Sequence, residues 1–100
     1  MPTVYVTAPR EAADDLARLL VDERLAACVN VVDCESTYRW EGEVHEESEA
    51  ILLAKTTTEA CEELMERVAS AHPHDVPCIE RFEESRVAGP FAAWREDVVG

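Results

Sequence analysis

The chain has 100 residues, 47% of them hydrophobic, and carries 22 acids against nine bases for a net charge of -13. Such a surface repels nucleic acid and anionic membrane, since both are bound through Lys and Arg meeting phosphate. No segment approaches the ~20 apolar residues of a membrane span, and one modest core is what this length allows, so residues 1–100 read as a single domain.

The first element is a strand-like run, Thr3-Val4-Tyr5-Val6-Thr7. It begins directly, without a basic stretch followed by an apolar one, so the chain is expected to stay in the cytoplasm. The four cysteines, Cys28, Cys34, Cys61 and Cys78, are then expected to be reduced thiols. Pro9 suits the first turn of a helix, where a missing N–H costs nothing. From Arg10 to about Glu23, Ala13, Leu16, Ala17, Leu19 and Leu20 recur at three- and four-residue steps, which predicts an amphipathic helix.

Strand two runs from Ala27 to Trp40, and strand three from Glu43 to Thr56, with Glu41-Gly42 as the turn between them. This hairpin is longer than a 100-residue domain needs for its own sheet. Bare strand edges need a partner, so the hairpin predicts self-assembly. The run Ala50-Ile51-Leu52-Leu53-Ala54 is apolar at consecutive positions, and side chains alternate faces, so both faces of strand three want cover. Helices cover one face and a subunit contact covers the other.

Thr57 or Thr58 caps the next helix, whose inner stripe is Cys61, Leu64, Met65 and Val68. That helix ends near His72, ahead of Pro73. A fourth strand spans Val76 to Glu84, and a short final helix spans Phe91 to Val99. The order β-α-β-β-α-β-α predicts an α+β fold. It is a ferredoxin-like split βαβ with one antiparallel sheet, a long central hairpin and a short C-terminal helix.

Several anchors then fall in one order. They are Leu25-Ala26-Ala27-Cys28-Val29-Asn30, Ser36-Thr37-Tyr38-Arg39-Trp40-Glu41-Gly42, Lys55-Thr56-Thr57, His72-Pro73-His74 with Pro77, and Trp94. Together they resemble the divalent-cation-tolerance family, CutA, over almost the whole chain. The resemblance implies a tight homotrimer with hairpins paired between neighbours, a cytosolic location, a role in tolerance of copper and other divalent metals, and metal binding in some members. The chain departs from the family where His74 replaces the usual aromatic after His-Pro, and where Ala71 stands in place of a second histidine before Pro73.

Cys28 matches the cysteine that the family associates with copper, and a thiolate is a soft ligand suited to Cu(I). His72 and His74 offer two imidazoles in one short loop. These three residues form the candidate metal set, and copper or another divalent cation is the expected ligand. Two imidazoles alone do not complete a site, so Cys28, a carboxylate or a neighbouring subunit has to contribute. No C-x-x-C pair is present to hold a structural zinc. The run His45-Glu46-Glu47 with Glu49 reads as the solvated outer half of the hairpin. Tyr38, Trp40 and Trp94 read as interface packing. Lys55, the sole lysine, reads as one side of an ion pair across the hairpin, and Cys61 and Cys78 read as core.

No nucleophile, histidine and acid stand in a catalytic frame, and no glycine-rich phosphate loop is present. The expectation is a non-enzyme without an organic cofactor. The alternative is a regulatory trimer like the PII signalling proteins, binding a small molecule in the clefts between subunits. The heavy acid load reads as adaptation to high salt, where screening removes self-repulsion.

Overall fold

The computed structural model describes all 100 residues. In chain order the elements are β1 (Pro2–Pro9), α1 (Arg10–Asp22), β2 (Cys28–Trp40), β3 (Glu43–Lys55), α2 (Cys61–Ala71), β4 (Ile79–Glu83) and α3 (Gly89–Val98). The four strands form one antiparallel sheet in the order β2-β3-β1-β4. This is the ferredoxin-like arrangement expected from the element order. No helix is long and apolar enough to cross a membrane.

Register assigns each strand residue to a face. Val4, Val6 and Ala8 lie opposite Ala54, Leu52 and Ala50. Those six are buried together with Ala13, Leu16 and Leu20 of α1 and Cys61, Leu64 and Val68 of α2. Both helices therefore cover the same face. Their inward spacing of three and four residues matches the apolar stripe of each helix. The opposite face carries Tyr5, Ile51, Leu53, Val32 and Phe82, by alternation along the same strands. Much of that second face is open in the subunit, with Val32 48% exposed and Phe82 49%, although Thr3 and Glu49 on it are buried.

The hairpin is as long as the sequence indicated. β2 and β3 pair over their full 13 residues each. Only Glu49 to Lys55 of β3 also pair with β1, so the half from Glu35 to Ser48 projects beyond the sheet as a two-stranded arm. At its tip Glu41 and Gly42 both take positive φ, at 50° and 82°. That is the backbone of a two-residue turn whose twist matches the flanking strands.

Three boundaries differ from the sequence reading. β4 starts at Ile79 rather than Val76, since Pro77 has no N–H to enter the ladder. Thr57 does not cap α2 directly. Its Oγ1 accepts the Ala60 N–H at 3.2 Å, in the turn that precedes the helix. α3 begins at Gly89 rather than Phe91, with Pro90 in its first turn where a helix tolerates it.

The side chain that fixes α3 was not expected. Arg95 is 1% exposed. Its Nε and Nη2 donate to the Thr56 carbonyl at 3.1 and 2.8 Å, and Nη2 also donates to the Pro2 carbonyl at 2.5 Å. Nη1 donates to Glu84 Oε1 at 2.6 Å, which also accepts from the Thr3 hydroxyl at 2.8 Å. One guanidinium thus ties the final helix to the start of β1, the end of β3 and the exit of β4. Burial pushes the Glu84 carboxyl up, but the hydrogen bonds from Arg95 and Thr3 outweigh it and leave it below its usual 4.5.

Candidate functional site

The loop after α2 is organised by His72. The helix stops there, and the histidine is buried at 8% exposure. Its Nδ1 accepts the His74 backbone N–H at 3.0 Å, and its Nε2 lies 2.8 Å from the Thr7 carbonyl. A carbonyl only accepts, so Nε2 carries the proton and the tautomer is set. Neither ring nitrogen is left with a free lone pair. His72 therefore pins the 73–78 loop to β1 and has to give up a hydrogen bond before it can ligate. His74 is exposed, with its ring centroid 5.0 Å from that of His72.

Cys28 is a half-buried free thiol on the uncovered face of the sheet. It pairs with Lys55, which pairs with Thr3, four residues from the Thr7 that holds His72. Four residues along the strand and two strands across amount to roughly 16 Å. Metal–ligand bonds are near 2 Å, so the subunit does not bring Cys28 together with His72 and His74. No group of three or more His, Cys, Asp or Glu side chains is arranged in the subunit to hold a metal ion.

Of the two thiols expected in the core, Cys61 is there, whereas Cys78 is only half-buried and lines the concavity beside the loop after α2 instead. Cys61 is fully buried on α2, and burial pushes its thiol up. Cys78 is also pushed up, chiefly by burial and then by its Glu80 neighbour, against the opposing Thr7 hydrogen bond. Only the thiolate reacts with alkylating agents. We expect iodoacetamide to leave Cys61 unmodified in the folded protein and to modify it once denaturant is added, as read by mass spectrometry. Equal modification with and without denaturant would place Cys61 outside the core.

A concavity lies between the hairpin arm and the His72 loop. It has a volume of about 780 Å³, with Ser36 to Trp40 on one wall and Pro73 to Val76 with Cys78 on the other. Thr7 and Glu49 complete the lining. Tyr38 stacks on His45 across the hairpin, with ring centroids 5.5 Å apart. Burial raises the Tyr38 hydroxyl, reinforced by the nearby carboxylates of Glu47 and Glu49.

Two sequence expectations are corrected here. Lys55 forms no ion pair across the hairpin, and instead donates to Asn30 Oδ1 at 3.0 Å. Glu49 is not part of the solvated arm, since it is only 6% exposed where β3 joins the body of the sheet. Its signal was available in the sequence. Glu49 shares a face with Ile51 and Leu53, directly ahead of the apolar run.

Comparison with known proteins bears on what such a subunit does. The sequence model described as "CutA1 divalent ion tolerance protein" matches residues 2–98. The divalent-cation tolerance protein CutA of Thermus thermophilus is 54% identical over 99 residues, covering 97% of this chain and 96% of that protein. The apo structure described as a PII-like protein CutA from a Nostoc species superposes with a TM-score of 0.96 at 30% identity, covering 100% of this chain and 98% of that one. The structure described as the periplasmic CutA of Archaeoglobus fulgidus gives 0.95 at 32% identity, with both chains covered in full. The long hairpin, the Arg95-anchored final helix and the His72 loop thus sit on a backbone shared with these proteins along its whole length, and the chain belongs to the CutA1 divalent ion tolerance family.

Proposed function

We propose that this protein is a cytoplasmic homotrimer that binds copper or another divalent cation and so serves metal tolerance. It is not an enzyme and has no organic cofactor. The observation that carries the reading is Cys28. It is a free thiol on an uncovered sheet face, in a chain whose family is described by divalent ion tolerance. A thiolate favours soft Cu(I). Since Cys28 lies far from His72 and His74 within a subunit, the ligand set is completed between subunits. There the exposed His74 is the available imidazole. His72 positions it, and ligates only by releasing the Thr7 carbonyl or the His74 amide.

The test is an anaerobic copper titration of reduced protein in multimolar salt, with bound metal counted after desalting. The parent is expected to retain copper in proportion to its subunits, and the Cys28→Ser variant to lose most of it. Replacing both Cys28 and His72 by alanine with no change in copper retention would remove the site assignment.

A second reading is a regulatory trimer that binds a small molecule, as the PII-like relative and the cleft beside the hairpin arm favour. A thermal-shift series with adenine nucleotides examines it, and no shift with any of them would count against a nucleotide ligand.

A further inference from the structure

The final helix is held differently from the other two. α1 buries Ala13, Leu16 and Leu20 against the sheet, and α2 buries Cys61, Leu64 and Val68. α3 adds no side chain to that apolar core, and its one buried residue is Arg95. Its aromatics, Phe91 and Trp94, pack on each other with ring centroids 5.6 Å apart and stay outside the core. What joins α3 to the sheet is therefore polar. Arg95 donates to the Pro2 and Thr56 carbonyls and to Glu84. Past the helix, the Gly100 N–H donates to the Arg24 carbonyl at 2.9 Å.

Little in the helix itself resists release. It has 10 residues, and isolated helices shorter than ~12–15 residues are marginal in water. No side chain caps its N-terminus, and Glu96 and Asp97 stand in its last turn, where the helix dipole disfavours acids. Ser85, Arg86 and Ala88, which lead into it, are exposed. Local stability follows buried apolar contact, so an element with none in the core opens first. Once the guanidinium lets go, no core contact keeps α3 ordered, and release and melting become one event.

We propose that α3 is a strap that detaches and melts as a unit while the sheet, α1 and α2 stay folded, with Arg95 as its latch. Opening bares the Pro2 and Thr56 carbonyls and the Glu84 carboxylate, at the end of the sheet where β1 starts and β3 finishes. The strap is a property of the subunit's own packing. It is independent of copper at Cys28 and of any small molecule.

The test is hydrogen exchange of the full chain at neutral pH, read by mass spectrometry on peptides from each element. In the parent, the amides of α3 are expected to exchange at least about tenfold faster than those of β1 and β3. Two variants separate local from global opening. Arg95→Lys keeps the charge and loses the planar fork, and is expected to speed α3 by about tenfold or more. Val68→Ala weakens the core that α3 does not share. It is expected to speed β1 and β3 by about tenfold and to leave α3 unchanged, because strap opening does not break that core. Exchange of α3 as slow as that of β1 and β3 in the parent would overturn the proposal. The helix would then open only with the whole subunit, or be held by a neighbouring copy. Equal acceleration of α3, β1 and β3 in Val68→Ala would overturn it as well, and so would unchanged α3 exchange in Arg95→Lys.

Discussion

Arg95→Ala is expected to lower the unfolding free energy by about 3–5 kcal/mol, the cost of removing one partner of a buried ion pair. The substitution strands the carbonyls of Pro2 and Thr56 and leaves the Glu84 carboxylate with the Thr3 hydroxyl alone. Arg95→Lys is expected to recover only part of the loss, because one ammonium cannot replace a planar fork that reaches three acceptors. Urea unfolding at matched protein concentration measures both, as a lower midpoint with little change in slope. A loss under about 1 kcal/mol for Arg95→Ala, the level of an exposed pair, would mean that the network does not hold α3.

The same network carries a pH signature. Glu84 is held below its usual 4.5 in the folded chain. Below that value the unfolded chain binds the proton more readily, so stability falls as pH drops from about 4.5 through the folded value. Glu23, lowered chiefly by its hydrogen bond to Arg67, acts in the same direction with a smaller weight because the pair is exposed. Arg95→Ala removes the group that holds Glu84 down, so its acid-side slope is expected to be shallower than the parent's.

Val32→Asp is expected to convert the proposed trimer to monomers while leaving the subunit folded. Val32 sits on the uncovered face of β2, opposite Ile51, and is 48% exposed. In a lone subunit an exposed substitution changes stability by only about 0.5 kcal/mol either way. In an assembly that closes over Tyr5, Ile51, Leu53 and Phe82, it buries a carboxylate without a partner, which costs several kcal/mol. The contrast between those magnitudes makes the variant informative. Circular dichroism reports whether the subunit folds and sedimentation reports the mass. An unchanged mass would place Val32 outside the interface.

The hairpin was legible because its signals are local. Gly42 permits the tip, the two flanking segments match in length, and the run from Ala50 to Ala54 announces a strand that is apolar on both sides. α1 and α2 were legible from their three- and four-residue spacing. Glu49 was read as solvated, Arg95 was not singled out and the burial of His72 was not foreseen, for one common reason. Each is defined by a contact distant in the chain: the β1 and β2 pairing of Glu49, the Pro2 and Thr56 carbonyls for Arg95, and the Thr7 carbonyl for His72. An arginine on a short surface-like helix carries no local mark of burial, and the one mark Glu49 carried, its place on the face of Ile51 and Leu53, was masked by the acidic run around it. The metal set was read from residue type and family resemblance, neither of which encodes the separation between Cys28 and the His72 loop.

The metal reading depends on a subunit that is incomplete alone, because copies must cover its second face and complete the ligand set at Cys28. Sedimentation equilibrium of the parent protein, in dilute buffer and in multimolar KCl, tests that claim most directly. The account predicts a single species of about three times the 11.2 kDa chain mass, most firmly held at high salt where the acidic surfaces no longer repel. A species at the mass of one chain in both solvents would contradict it.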